Sequence, residues 1–286
     1  MAYTDSEIRG DYFVVSGKAK PAGLFDGAML LSGISFYEVM RVKEKTPLFL
    51  GEHLDRLSAS LLAGGGKAGL PAEIIAKNLR LLITANEQIN EGNIRLILHY
   101  PPGKDENPAI ICHYTFHYYP SAEEYASGVS LVPLYIQRPS VHAKIIDYGF
   151  RTAVASKIKE ADAYEALLVN AEGFVTEGSK SNVFLIGDDK VVTPPAADVL
   201  PGITRKYVLY LCHLAGISAA EENIPCSEAG SFDSCFITGT SPGILAVRNI
   251  DQIRFNTGHP LLRKISGDYE RMVFQYIEKH KLKYNR

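Results

Sequence analysis

Four short stretches carry residues whose types and spacing could do chemistry. In "EGFVTEGSKSNVFLI" the acid Glu177 stands between two β-type runs and is followed at once by Gly178, Ser179, Ser181 and Asn182. On its own that is a hairpin with a solvated glutamate. "LPGITR", residues 200–205, sets Pro201 and Gly202 ahead of a helix that begins near Thr204. Free N–H groups at a helix start, together with the helix dipole, favour an anion. Arg56 in "EHLDRL" falls off the apolar face marked by Leu54. Its planar fork suits a phosphate, although a surface ion pair would use the same residue. "FITGTSPG", residues 236–243, offers the hydroxyls of Thr240 and Ser241 in a turn. Each stretch is bland alone.

Taken in chain order, with "EHLDRL" first, then the Glu177 stretch, "LPGITR" and "FITGTSPG", the four stretches resemble the class IV (fold type IV) pyridoxal-phosphate enzymes. That family includes branched-chain aminotransferases, D-amino acid aminotransferases and aminodeoxychorismate lyases. The resemblance covers most of the chain and is strongest from about 160 to 250. It implies an α+β fold of two domains with pyridoxal 5'-phosphate bound at their interface, and usually a homodimer. Such a cofactor needs a lysine to carry it, a partner for its pyridine nitrogen and a phosphate anchor.

By resemblance, Glu177 is the pyridine-nitrogen partner, keeping the ring protonated so that it accepts the electrons left by Cα–H cleavage. Pattern alone does not select the lysine. In the family it lies about twenty residues before the strand resembled here by "YEALLVN", and Lys144 in "SVHAKIIDYG" fits without a gap. Lys157 and Lys159 lie too close to that strand. The phosphate contacts fall by the same resemblance to Arg56, Ile203, Thr204, Thr240 and Ser241. Tyr37 in "SFYEVMRV" and Arg95 in "NIRLILHY" match positions near the substrate, although a strand arginine can equally be structural.

Several positions depart from the family pattern. The usual Asn is missing from the stretch Ile145 to Tyr148. "LSGIS" replaces a glycine-rich lead-in, and Pro242-Gly243 stands where branched-chain enzymes often carry Ala-Glu. The last two fall around the substrate pocket and put a standard branched-chain specificity in doubt. The implied activity is transfer of an amino group between an amino acid and a 2-oxo acid. A lyase of the aminodeoxychorismate type and a non-catalytic cofactor-binding homologue are the alternatives.

The elements that must position these residues follow from pattern. At 286 residues and 46% hydrophobic, the chain can bury a sizeable core and fill two domains. We expect a smaller α+β domain over 1–118, a polar linker "YPSAEEYASG" over 119–128 and a larger α+β domain over 129–286. Two helices are expected in the first, one with Leu54, Leu57, Leu61 and Leu62 on its apolar face, the other opening at Pro71 with Ile75, Leu79 and Leu82. "KIIDYGFRTAVASKIKEAD" reads as a helix, and Val208, Leu211, Cys212 and Ala215 form one face of another. Strands interspersed with helices, without regular βαβ alternation, argue for α+β.

A net charge of −2 gives no hint of a nucleic-acid or acidic-membrane partner. No signal peptide or membrane span is evident, and four cysteines without CxxC spacing fit a reducing cytoplasm. "LLAGGGKAG" lacks the leading glycine and the Ser or Thr of a P-loop and reads as a helix terminator. His113 and His117 fall on one face of a strand without a third ligand at metal spacing, so no metal is expected.

Overall fold

The computed structural model describes residues 8–64, 72–103 and 108–281. The chain divides into two compact units. The first comprises Met1–Tyr118, His142–Tyr148 and Val273–Arg286, the second Tyr119–Val141 and Gly149–Met272. Lys144 therefore belongs to the first unit, whereas a single cut near 119–128 leaves it in the second.

The first unit holds an antiparallel sheet of β1 (Ile8–Val15), β2 (Lys18–Pro21), β3 (Ile34–Lys43), β4 (Thr46–Pro47), β5 (Gly92–Tyr100) and β6 (Ala109–Thr115), in the order β2-β1-β6-β5-β3-β4. Its two long helices are α1 (Leu50–Ala63) and α2 (Ala72–Ala85). Alternation along β3 sends Phe36, Met40 and Val42 to one face. There they pack with Ile94, Leu96 and Leu98 of β5, Leu57 and Leu61 of α1, and Ile75, Leu79 and Leu82 of α2. Burying each such side chain contributes roughly 1.5–3 kcal/mol. On the opposite face, Ile97 and Ile111 pack with Phe13, Phe25 and Leu30.

Three expectations need correction in this unit. Leu62 is 59% exposed, and the inward face of α1 carries His53 and Ser60 beside Leu57 and Leu61. β6 ends at Thr115, so His117 lies beyond the strand that carries His113. Lys144 to Asp147 are not helical. The Tyr37 N–H donates to the Lys144 carbonyl at 3.0 Å and the Ile146 N–H to the Ser35 carbonyl at 3.2 Å. Ile145 and Ile146 pack into different cores, one on each side of the sheet, an alternation that an extended backbone allows. Pro71 and Lys67, expected as a helix start and in a glycine-rich terminator, lie outside the described residues.

In the second unit the expected linker carries a helix, α3 (Ala122–Ser127), closed by a capping box between Ser121 and Glu124. The unit's strands are β7 (Val129–Tyr135), β8 (Glu165–Val169), β9 (Phe174–Gly178), β10 (Asn182–Gly187), β11 (Lys190–Thr193), β12 (Ala219–Glu221), β13 (Ile224–Pro225), β14 (Ser234–Gly239), β15 (Gly243–Ile250) and β16 (Ile253–Arg254). They form one sheet in the order β12-β11-β10-β14-β15-β7-β8-β9-β13, with β16 paired to β15. β7 is parallel to both β8 and β15, so the sheet is mixed.

Helix α4 (Tyr148–Ala161) buries Phe150 and Val154 against Val132, Ala166 and Leu168. Helix α5 (Ile203–Leu214) buries Ile203, Thr204, Arg205, Val208 and Cys212, while Ala215 is its exposed C-cap. Helix α6 (Pro260–His280) starts in the second unit and counts with the first from Val273. No helix among the described residues is long and apolar enough to cross a membrane. All four cysteines are free, three of them buried.

Candidate active site

The first unit gathers Tyr37, Arg56 and Lys144 around β3. Lys144 is held through its backbone by Tyr37 and by α1, where its N–H donates to Ser60 Oγ at 3.2 Å. Its ammonium sits 4.9 Å from the centre of the Tyr37 ring, a cation–π distance. Arg56 turns to the neighbouring carboxylate. Its Nε donates to Glu38 Oε1 at 2.8 Å and its Nη2 to Oε2 at 2.6 Å. His53 Nδ1 adds a contact to Oε2 at 2.7 Å. Arg56 and His53 hold the Glu38 carboxyl down at about 2 although burial pushes it the other way. An ionised carboxylate only accepts, so His53 Nδ1 carries the proton.

Arg95 lies on the Tyr37 face of the sheet, with Val39 and His113 as its cross-strand neighbours. His113 is buried and donates from Nδ1 to the Tyr114 carbonyl, leaving Nε2 as a lone pair. Burial, with the Arg95 charge beside it, drops its pKa to about 3. It is a neutral core histidine. Among the described residues no cluster of three candidate ligands could hold a metal ion.

The second unit gathers Glu177, Asn182, Thr204 and the approach to α5. Glu177 is the penultimate residue of β9 and is 2% exposed. Its Oε1 accepts from Arg138 Nε at 2.6 Å, and its Oε2 accepts from the Leu200 N–H at 3.0 Å. Asn182 Nδ2 donates to the Leu200 carbonyl at 2.9 Å. The "EGSKSN" stretch thus fixes the backbone that enters α5. Glycine makes room for the polar side chains at both ends of this arrangement. A Cβ on Gly178 would stand 2.2 Å from Ser181 Oγ, and one on Gly202 would stand 1.8 Å from Asn182 Oδ1.

Gly202 is the N-cap of α5, with no side-chain cap and no acid in the first turn. Those N–H groups suit an anion. Ile203 and Thr204 open the helix, and the Thr204 hydroxyl meets Tyr269 Oη at 3.4 Å. Thr240 and Ser241 lie in the turn joining β14 to β15, just past Thr238, which pairs with Asn182. Tyr125 donates to the Pro242 carbonyl at 2.9 Å, anchoring the unusual Pro-Gly end of that turn.

Sequence reasoning passed over Glu38, Arg138 and Glu165. Glu38 and Glu165 carried a signal, each being an acid flanked by apolar residues in a strand. Glu165, fully buried, accepts from the Lys180 N–H and from Ser181 Oγ at 3.1 Å, and so pins the loop after Glu177. Burial raises its pKa. Arg138 follows β7 in an irregular stretch and left no periodic trace.

This donor set fits pyridoxal phosphate. The first unit offers a lysine beside an aromatic ring and an arginine fork, and the second by itself offers a buried carboxylate, an uncapped helix start and the buried Thr238 hydroxyl, which has no protein partner. Residues 35–250, more than half of the chain, match the class IV amino-transferase family, and the chain belongs to it. The D-alanine aminotransferase of Bacillus licheniformis is 28% identical over 80% of this chain and 83% of its own. The branched-chain aminotransferase of Thermoproteus uzoniensis, solved with norvaline, shares the fold at a TM-score of 0.82 and 24% identity, over 95% of this chain and 97% of that one. A Legionella pneumophila protein assigned as a 4-amino-4-deoxychorismate lyase shares it at 0.76 and 24%, over 84% and 91%. Two-domain fold type IV is therefore the fold of this chain, and a pyridoxal-phosphate-dependent transaminase is its enzyme class.

Proposed function

We propose that this enzyme moves an amino group between a D-amino or branched-chain amino acid and a 2-oxo acid. The observation that carries the reading is Glu177, a carboxylate nearly out of water and held from both oxygens by Arg138 and the Leu200 N–H. A fixed buried acid is what a pyridine nitrogen needs, and a hairpin glutamate in solvent would have neither restraint. Pyridoxal phosphate, when bound, supplies the electron sink for the carbanion at the substrate Cα.

The chain's own residues supply the rest. Lys144 would hold the cofactor through Nζ, and its free amine would move the proton at the substrate Cα as base and then acid. Ser60 and Tyr37 hold the Lys144 backbone in register for that work. Arg56 is a phosphate ligand, as are Ile203 and Thr204 at the start of α5 and Thr240 and Ser241 after β14. Tyr37 and Arg95 serve the substrate. Its place is the cytoplasm, supported by four free thiols. Its working form is a homodimer, supported by the family resemblance.

The test is the visible absorption of the purified protein against a panel of D- and L-amino acids. A band that bleaches with one donor and returns with a 2-oxo acid is the expected result. Stoichiometric pyruvate from an aminated chorismate, with no acceptor present, would instead support the lyase. A band that answers to no amine would leave a cofactor-binding homologue.

A further inference from the structure

One residue of the unit-one cluster, the buried acid Glu38, has no role in the reaction as described. It accepts from Arg56 through both oxygens and from His53 through one, and it is fully buried. Such a pair is a poor stabilising device, because desolvating two charges offsets most of their attraction. What a side-on, two-point contact does supply is direction. A free arginine samples many rotamers, and a ligand that binds it must freeze them. An arginine already clamped has that cost met before the ligand arrives.

The placement is built into the secondary structure. Glu38 points to the helix side of β3, with Phe36 and Met40 on either side of it. His53 and Arg56 lie three residues apart on α1 and meet the same carboxylate. Ser60, one turn further along the same helix, fixes the Lys144 backbone. One helix face therefore sets the aim of Arg56 and the position of Lys144.

We propose that Glu38, supported by His53, is a positioning residue that orients the Arg56 guanidinium for the phosphate of the cofactor. This rests on the assignment of Arg56 made under the proposed function. The measurement is the preference of the full-length protein for pyridoxal phosphate over pyridoxal, from spectrophotometric binding titrations. Glu38→Asp keeps the charge and withdraws it by one methylene, while Glu38→Gln removes the charge. In both, the preference is expected to fall about ten-fold with pyridoxal binding little changed, because only the phosphate contact depends on the aim of Arg56. His53→Gln, which keeps the Glu38–Arg56 pair, is expected to lower it by about two- to three-fold.

An unchanged preference in Glu38→Asp would overturn the inference, as would a raised one in Glu38→Gln, which would make Glu38 only a counter-ion. Should both Glu38 variants fail to fold, an unchanged preference in His53→Gln would overturn it. A wild-type chain with no preference for the phosphorylated form would remove the assignment of Arg56 itself, and the inference with it.

Discussion

Each unit of this enzyme buries a glutamate against an arginine, and the two pairs are built for opposite purposes. In the first unit, Glu38 is fully buried and faces two basic side chains, Arg56 and His53. Its charge is consumed by holding them. In the second, Glu177 meets Arg138 through one oxygen and a backbone N–H through the other, and the Arg138 side chain keeps 19% of its surface in solvent against 8% for Arg56. There the arginine holds the acid. The same pair of residue types thus orients a cation in one place and an anion in the other, and what differs is which partner the surrounding backbone also grips.

Removing the acid should expose this difference most strongly. Glu177→Gln is expected to lower kcat/KM on the order of a hundred-fold while the protein still binds the cofactor, since the shape and hydrogen-bonding oxygen stay and the charge is lost. Equal loss in kcat/KM and in cofactor affinity would mean that Glu177 is only structural. Removing the arginine is the next test. Arg138→Ala strands a buried carboxylate, which costs about 2 kcal/mol after allowing for the exposure of Arg138. Thermal unfolding measures it, and an unchanged midpoint would show that the Leu200 N–H suffices.

Acid should separate the two units by about 1.4 kcal/mol per pH unit for each titrating group. In the first unit His113 is held down at about 3, and burial also lowers the pKa of His53 and His99. Below pH 6.5 the unfolded chain takes up those protons and the folded one does not, so stability falls as pH falls. Glu38, at about 2 instead of 4.5, adds a further loss between those values. Glu165 in the second unit works the other way. Its raised pKa means that the folded state binds the proton more tightly, so acid favours it. Hydrogen exchange, corrected for intrinsic rates, should show β3, β5 and β6 losing protection at a higher pH than β8 and β9. Simultaneous loss would contradict the assignment.

The smallest contrast lies within one helix. Leu57→Ala is expected to cost about 2–5 kcal/mol and Leu62→Ala no more than about 0.5 kcal/mol, by the same unfolding measurement. The sequence placed both on one apolar face, and this is where periodicity reached its limit. Leu57 and Leu61 were legible, but Leu62 turns to solvent because the inward positions go to His53 and Ser60, whose partners Glu38 and Lys144 come from other parts of the chain.

The same cause accounts for the lysine segment. "KIIDYGF" has the apolar content of a helix start, yet it is drawn out by hydrogen bonds to Ser35 and Tyr37, more than a hundred residues away. The strands around Glu177 were readable because alternation and turn residues are local. The start of α5 was readable for the same reason. Arg138 was not, since an irregular stretch has no period to betray what it touches. Glu38 and Glu165 could have been found: an acid flanked by apolar residues in a strand has to be answered by a cation or by clustered N–H donors.

The central claim is that Lys144 carries the cofactor. Borohydride reduction of the purified protein, followed by proteolysis and mass mapping, tests it without reference to any substrate. A pyridoxyl label on the peptide containing Lys144, and nowhere else at stoichiometric yield, is the expected result. A stoichiometric label on another lysine, or none on a protein saturated with pyridoxal phosphate, would contradict it.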